Sequence, residues 1–205
     1  MNKYKIVCLV LAFALLATLV RLFIPRTGTI TEAVLENILQ RKSVREYSAE
    51  KLRREQLDSL VRMGMAAPSS KDMRPWQFYV VDDPKLLQAL AKAHPYATCV
   101  AKAPAAIVVC GDTTVTDDNG RPSQAWMNDC SAATQNILLA AEAMGLGAVW
   151  TASWPYEKSM AGVQAALEMP EGVLPLAVVA IGYPKGDAKP KDKWDKDLIH
   201  YNNVW

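Results

Sequence analysis

The sequence predicts a layered domain of the α+β or α/β class. Short apolar strands alternate along the chain with longer amphipathic helices, which is the pattern of a sheet packed against helices. Of the 205 residues, 51% are hydrophobic and 21% are charged. The chain can therefore bury a sizeable core and does not have the composition of a disordered protein. Its length suits one domain with a short appendage.

The helices are predicted from apolar residues at helical spacing and from their end signals. In the first helix, Val34 and Ile38 lie on one apolar face and Thr31 is the expected N-cap. The fourth helix is apolar on most of its circumference, so we expect it to be buried on nearly every side, at the centre of the fold or in a dimer interface. The five predicted helices are 29–41, 54–67, 84–94, 123–145 and 156–169.

Strands are predicted where β-branched, aromatic and aliphatic residues form short runs between turn residues. The Pro and Ser content makes residues 67–76 a loop, and an Asn-Gly pair marks a turn within residues 113–124. The Lys-rich tail, residues 184–205, has no core periodicity. The four predicted strands are 77–83, 103–112, 147–152 and 173–183.

Residues 1–26 predict a targeting segment. A basic stretch, MNKYK, precedes 15 mostly apolar residues without a charge, and Arg21 interrupts before Leu-Phe-Ile-Pro. That run is long for the core of a signal peptide and short for a membrane span of about 20 residues. We expect an uncleaved membrane anchor, with a cleaved signal or neither as the alternatives, followed by a domain of residues 27–205. The protein is accordingly expected to be membrane-anchored or exported, in a bacterial cell envelope.

Composition argues against several kinds of site. Beyond residue 26 the chain has 19 basic and 21 acidic residues, so a nucleic-acid-binding surface is not expected. The cysteines beyond the N-terminal segment have neither C-x-x-C nor metal-ligand spacing, and Cys110 is expected to be a small core residue. His94 and His200 have no triad context, and His94 is expected to be a capping or surface residue. No catalytic residue and no metal site is predicted.

Residues 41–47, RKSVREY, carry the strongest functional signal. Arg41, Lys42 and Arg45 crowd three cations around Ser43 at the end of a helix. Such a cluster is either a solvated helix end, where cations complement the dipole, or a site for an anion such as phosphate. Six tryptophans are also a high number for this length. Each alone is more often a packing residue, but together with the cations they fit a planar, phosphorylated ligand.

Four motifs in order make the chain resemble the nitroreductase family of flavin-dependent oxidoreductases, in its shorter branch. RKSVREY is similar to the family pattern R-x-S-x-R-x-[FY], and APSSKDMRPW (residues 67–76) is similar to A-P-S-x-x-N-x-Q-P-W. GLGAVW (residues 145–150) resembles G-L-G-x-x-W, and the closing IHYN (residues 199–202) resembles the tail of one subgroup. The resemblance covers about residues 31–205 and implies an α+β three-layer sandwich with a central, mainly antiparallel sheet flanked by helices.

The resemblance implies FMN as the cofactor. Arg41 and Ser43 would hold its phosphate and ribityl chain, with Lys42 contributing backbone or charge. Arg45 would approach the flavin ring near N1 and O2 and stabilise the negative charge that reduction adds there. Lys193, or Lys191 as the alternative, would be the cation of the tail that closes on the phosphate.

The resemblance also implies a homodimer in which two chains share each FMN site. Pro68, Ser69 and Ser70 would come from the second chain, whereas the strand after Gly147 would pass beside the ring with Trp150, Thr151 and Ala152. Asp72 stands where the family pattern has Asn, and Arg74 stands where it has Gln. An ionised carboxylate only accepts hydrogen bonds, so Asp72 would accept from the flavin N3–H or pair with Arg74 instead.

By resemblance, the function is transfer of hydride from NAD(P)H through flavin N5 to a small acceptor, such as a nitroaromatic compound or a quinone, in a ping-pong reaction. Two alternatives remain open from the residues. One is another flavin chemistry on the same scaffold, such as reductive dehalogenation. The other is a flavoprotein that does not use NAD(P)H, for example a membrane-anchored electron-transfer partner.

Overall fold

The computed structural model describes residues 29–202. The chain divides into two compact units, residues 1–36 and residues 37–205, of which the structure describes 29–36 and 37–202. The predicted anchor or signal in residues 1–26, and the predicted domain boundary after it, lie outside the described residues.

Within residues 29–202, five α-helices occur where five were predicted. The first begins at Ile30, two residues before the start that an N-cap at Thr31 implies, because Thr29 is its N-cap: the Thr29 hydroxyl accepts from the Glu32 N–H at 3.2 Å, and the Glu32 carboxylate accepts from the Thr29 N–H at 2.7 Å. This reciprocal pair is a capping box, and the predicted cap at Thr31 is wrong. The helices are α1 (Ile30–Gln40), α2 (Arg54–Met65), α3 (Pro84–Ala93), α4 (Trp126–Ala143) and α5 (Glu157–Ala166).

In the part of the chain that the structure describes, the sheet has four strands, all antiparallel to their neighbours, in the order β1-β2-β4-β3. The two longest and most apolar strands, β2 and β4, lie at its centre, as their composition requires. Antiparallel pairing with helices between the strands confirms the α+β class. The strands are β1 (Trp76–Val81), β2 (Ala105–Asp112), β3 (Gly147–Ala152) and β4 (Val173–Gly182).

Helices cover the sheet on both faces, which gives three layers. Side chains of a strand alternate between faces, so Val108 of β2 packs into one apolar core and Val109 into another. The first core includes Leu90 of α3 and Val163 of α5. The second includes Leu60 of α2 and residues of α4. The predicted three-layer sandwich is confirmed.

Within one chain, helix α4 is buried on one side only, so the alternative that it lies at the centre of the fold is wrong, whereas the alternative of a dimer interface stays a prediction. The other side of α4 includes Leu139 and Ala143, which are partly or fully exposed although they are apolar. Apolar residues on an exposed helix side are typical of a surface that another chain covers. The buried residues of α4 are Trp126, Asp129, Cys130, Ala133, Thr134, Ile137, Leu138 and Ala141.

Candidate active site

Residues 41–47 run along the edge of the sheet. Ser43 forms a parallel bridge with Ala148 of β3, and the Val44 N–H donates to the Ala148 carbonyl at 3.0 Å. Because β3 is the last strand of the order, this segment covers an otherwise open edge. The cations of the motif are thus carried by a backbone that is itself paired to the sheet.

Val44 and Gly147 explain why this segment lies where it does. The Val44 side chain is 2% exposed, and a Cβ at Gly147 would come within 2.7 Å of the Val44 Cβ. Only a residue without a side chain allows that approach. In an extended segment the neighbours of an inward-pointing residue point the opposite way, so Ser43 and Arg45 face outward. The second glycine of GLG therefore positions the R-x-S-x-R motif.

Tyr47 holds the other end of the segment. Its buried hydroxyl donates to the Val44 carbonyl at 2.6 Å and lies 3.2 Å from the Ala180 carbonyl. Burial raises the pKa of Tyr47 well above its usual value, so the hydroxyl keeps its proton. Tyr47 also forms an antiparallel bridge with Pro184, directly after β4. The aromatic residue of the motif is structural, which its sequence neighbours did not indicate.

The cations of the motif line a cavity of about 250 Å³ together with lysines of the tail. Among the residues that the structure describes, no acidic side chain lines it. Three of the lysines stand at alternate positions of the tail, and that K-P-K-D-K spacing was the signal in the sequence that could have assigned all of them. The lining residues are Arg41, Lys42, Ser43, Arg45, Lys189, Lys191 and Lys193.

The charges in this cavity are only partly neutralised by the protein. Lys42 pairs with Glu142, with Nζ and Oε1 2.7 Å apart, so its charge is compensated and its backbone is what it offers to a ligand. Lys189 lies 3.3 Å from Asp187 in an exposed pair that water screens. Among the ion pairs within residues 29–202, none involves the remaining four cations, Arg41, Arg45, Lys191 and Lys193. This donor set suits a phosphate.

A second cavity, of about 380 Å³, shares Arg45 with the first. It brings together Arg45, the three residues of β3 that were predicted to pass beside the ring, and three further side chains. The sequence did not single out those three as ligand contacts. The aromatic lining of this cavity suits a flat, apolar group. The lining residues are Arg45, His94, Tyr96, Trp150, Thr151, Ala152 and Tyr156.

His94 is not the surface residue that one alternative predicted. It is the C-cap residue of α3, is 2% exposed, and its Nε2 lies 2.7 Å from the Ala152 carbonyl oxygen. Because a carbonyl only accepts, Nε2 carries the hydrogen and donates. Nearby, the Thr151 hydroxyl donates to the Val178 carbonyl at 2.6 Å. These hydrogen bonds fix Thr151 and Ala152 in position. Because the Thr151 hydroxyl is already used, the two residues offer backbone rather than free side-chain groups to the cavity.

Within one chain, the residues of 68–72 that were predicted to contact FMN line neither of these two cavities. Pro68 is exposed, and Ser70 lines a third cavity, of about 310 Å³, with Lys71 and Asp117. Neither of the two cavities that Arg45 lines contains a residue of this loop. One chain thus presents two separate parts of the predicted site.

The loop itself has an unusual backbone. Lys71, Asp72 and Arg74 have φ angles of 52°, 53° and 48°, in the left-handed region that non-glycine residues seldom adopt. Such strain is concentrated at functional sites. Asp72 accepts from Arg74 Nε at 2.6 Å and pairs a second time with the same guanidinium. This hydrogen bond lowers the pKa of Asp72. Of the two partners predicted for Asp72, the flavin N3–H and Arg74, this chain supplies Arg74.

A basic cavity joined through one arginine to an aromatic cavity has the charge and the lining that suit a phosphorylated, planar ligand. Comparison with known proteins agrees. The model of the nitroreductase family matches residues 38–94 and 92–183. A protein of Methanothermobacter thermautotrophicus, provisionally named NADH dehydrogenase/NAD(P)H nitroreductase, is 41% identical over 167 residues, which are 82% of this chain and 85% of that protein.

Solved structures give the same result. A crystal structure from Bacteroides thetaiotaomicron, with the same provisional name, is 49% identical with a TM-score of 0.79, covering 87% of this chain and 100% of that one. A structure titled FMN-dependent nitroreductase, from Clostridium difficile, is 27% identical with a TM-score of 0.75, covering 83% and 99%. The chain belongs to the nitroreductase family of flavin-dependent oxidoreductases. The predicted family, enzyme class and FMN cofactor are confirmed.

The predicted localisation, membrane-anchored or exported, is wrong. It rested on residues 1–26, which lie outside the described residues. In residues 29–202, no helix combines the length and the apolar character that a membrane span requires. The finding against the predicted localisation is the crystallised relative from Bacteroides thetaiotaomicron, which this chain matches over the whole length of that protein.

Proposed function

We propose that the protein is an NAD(P)H-dependent oxidoreductase that binds FMN at two equivalent sites of a homodimer and reduces small acceptors such as nitroaromatic compounds or quinones. The observation that carries this proposal is the pair of cavities that meet at Arg45. One is lined by cations and a serine, and the other by aromatic side chains and the backbone of β3. The relatives' names supply the NAD(P)H dependence.

The basic cavity would hold the phosphate. A phosphomonoester carries a charge of about −1.5 to −2 near neutral pH, which Arg41, Lys191 and Lys193 can neutralise without breaking an ion pair of the protein. Arg41 offers a planar fork of donors, and the lysines offer point charges. Ser43, on the outward face beside β3, adds a hydroxyl. Lys42 is committed to Glu142 and contributes mainly through its backbone.

The aromatic cavity would hold the ring. FMN, when bound, accepts a hydride at N5 and passes the two electrons on to the acceptor. Arg45 lines both cavities, so its guanidinium is the charged group of this chain that can stabilise negative charge on the ring. Trp150, Tyr96 and Tyr156 would limit the access of water. The aromatic surface also leaves room for flat donors and acceptors, which is why nitroaromatic compounds and quinones suit the site.

The homodimer is supported by the separation of the two parts of the site. Ser69 and Ser70 follow α2 and line neither cavity that Arg45 lines. A second copy would bring its own loop to the first copy's cavities, and a two-fold axis would make both sites equal. The strained backbone of residues 71–74 is consistent with a loop that is shaped for such a contact.

An apolar surface beside the loop supports the same arrangement. The C-terminal end of α2 lies against α4, where Asn136 donates from Nδ2 to the Met63 carbonyl at 3.1 Å. Asn37 donates in the same way to the Leu139 carbonyl at 3.0 Å. Exposed apolar side chains gather around these contacts, and such a surface is typical of an interface. We define the apolar surface as Ile38, Leu39, Met63, Met65 and Met144.

An anaerobic absorption spectrum of the purified full-length protein tests the proposal. We expect a yellow protein with flavin bands that are bleached by NADH or NADPH and that return when a nitroaromatic compound or a quinone is added. A protein that takes up FMN but is bleached by neither nucleotide would refute the NAD(P)H dependence. A colourless protein that does not take up added FMN would refute the whole proposal.

A further inference from the structure

Asp129 connects α4 to the loop that carries Ser69 and Ser70. It lies in the first turns of α4, is 5% exposed, and its Oδ1 accepts a hydrogen bond from the Ser70 backbone N–H at 2.9 Å. The two residues are 59 positions apart in the chain, so the sequence did not indicate this contact. A buried carboxylate on a main-chain donor is a strong, directional anchor.

The ion pairs of the loop are exposed on the loop's own side, although the Asp117 side chain that meets Lys71 is only 7% exposed. The Asp72–Arg74 pair is exposed on both sides and lies within the loop itself. Lys71 reaches Asp117 at 2.5 Å, but its side chain is 63% exposed. The left-handed conformations at residues 71, 72 and 74 persist only where the surroundings hold them. Asp129 is the buried group that holds the residue just before them.

The second oxygen of Asp129 points to a role beyond stability. Oδ2 is buried, and no group within residues 29–202 forms a hydrogen bond with it. A buried carboxylate with a free acceptor is costly for the fold. Retaining a polar acceptor at this position makes sense where the exact shape of the loop matters, because the Ser70 N–H would otherwise lose its partner.

We propose that Asp129 is a positioning residue for the FMN site: it holds Ser70, and through it the 68–70 loop, in the shape that reaches FMN bound by the other subunit. This inference rests on the proposed function. Asp129 itself touches neither cavity that Arg45 lines, so it acts through the loop and not on the cofactor.

Three variants of the full-length protein test the inference by FMN titration. Asp129→Ala removes the acceptor and should weaken FMN binding about tenfold or more, as expected for the loss of a hydrogen bond to a charged group. Asp129→Asn keeps an oxygen acceptor of the same shape and should restore FMN affinity to within about threefold of wild type. Asn128→Ala, an exposed neighbour on α4, is the matched control and should change nothing.

Two results would overturn the inference. The first is an Asp129→Ala protein that is folded, by its thermal transition without FMN, and binds FMN like wild type. The second is an Asp129→Asn protein that binds as poorly as Asp129→Ala, because FMN binding would then depend on the charge of Asp129 and not on its hydrogen bond to Ser70.

If Asp129→Ala does not fold, hydrogen exchange of the Ser70 amide in the wild-type apoprotein tests the inference instead. We expect slow exchange before FMN is added, because Asp129 fixes the loop in advance. Fast exchange in the apoprotein would overturn the inference. Wild-type titration separates the two proposals: no FMN binding there refutes the proposed function, whereas normal binding with an unaffected Asp129→Ala variant refutes only the positioning role.

Discussion

Residues 41–47 and residues 67–74 are the two parts of the candidate site, and they are held in different ways. The first segment is paired through its backbone to Ala148 and Pro184 and is locked by two buried side chains, Val44 and Tyr47. The second has three left-handed residues, an exposed ion pair and one buried anchor. The phosphate end of the site is therefore built into the fold, whereas the loop depends on a few polar contacts.

This difference predicts which substitutions lower the stability of the protein and which change only its affinity for FMN. Changes that disturb the packing of residues 41–47 should lower both the stability of the protein and its affinity for FMN. Changes in the loop should alter FMN binding with little effect on the free energy of unfolding, because the loop buries few apolar side chains. Four substitutions, in order of decreasing expected effect, test that division.

The largest effect is expected for Gly147→Ala. The new Cβ would come within 2.7 Å of Val44, so the segment must move away from β3. We expect a loss of about 1–3 kcal/mol in the free energy of unfolding and a loss of FMN affinity larger than that of any single cation. Denaturant unfolding and FMN titration measure both. Gly162→Ala, whose Cβ would come within 2.9 Å of the Ala93 Cβ, should destabilise the fold but leave the FMN affinity unchanged.

Arg41→Ala should come next. A charge-assisted phosphate contact is worth about 1.5–3 kcal/mol, so we expect FMN affinity to fall by about tenfold or more, with the melting temperature of the apoprotein unchanged. Fluorescence quenching of FMN gives the affinity. Arg53→Ala, at an exposed arginine outside both cavities, is the control. Equal affinities for Arg41→Ala and wild type would show that the phosphate lies elsewhere.

Tyr47→Phe should mainly affect stability. Removing the hydroxyl leaves the buried Val44 carbonyl without this donor and should cost about 1–2 kcal/mol, with only a small change in FMN affinity. Burial raises the pKa of Tyr47 above that of an unfolded tyrosine. The unfolded chain therefore loses this proton first as the pH rises above about 10, and wild type is destabilised there. Urea unfolding between pH 9 and 11 should show a steeper loss for wild type than for Tyr47→Phe.

The smallest effect is expected for Asp72→Asn. Asp72 and Arg74 form an exposed pair, so the melting temperature should not change measurably. Removing a negative charge and supplying an amide donor should strengthen FMN binding by about two- to threefold, and less at high salt. Titrations at low and high ionic strength check this. A tenfold fall in affinity would mean that the carboxylate itself contacts the cofactor.

The order and type of the elements could be predicted from the sequence because apolar periodicity and turn residues are local signals. The cations of the site were predictable for the same reason, since they are consecutive in RKSVREY. The structural roles of Val44 and Tyr47 were not, because their partners Gly147 and Ala180 lie more than 100 residues away. The hydrogen bond between Asp129 and Ser70 could not be predicted for the same reason, because the two residues are 59 positions apart.

The conformation of the loop could not be predicted, because Lys71, Asp72 and Arg74 adopt φ angles that their residue types disfavour. The sequence left open whether the apolar sides of α4 pack within the chain or in a dimer interface, since periodicity cannot separate a surface that packs within one chain from one that packs against a second. His94 was misjudged as a possible surface residue because its partner, the Ala152 carbonyl, is a main-chain group that no side-chain pattern marks.

Mixed dimers test the central claim, that two chains share each FMN site, most directly. Arg41→Ala damages the phosphate end, and Ser69→Asp adds a negative charge to the loop while keeping an acceptor for the Arg74 N–H that Ser69 now binds at 3.1 Å. Each variant alone should bind FMN poorly at both sites. In a mixed dimer, one site carries both changes and the other carries neither.

The measurement is FMN bound per subunit after the two variants are unfolded together in equal amounts and refolded. Random pairing makes half of the dimers mixed, so we expect about one quarter of the wild-type FMN sites to return. No recovery beyond the sum of the two separate variants, with normal folding, would contradict a site shared between two chains.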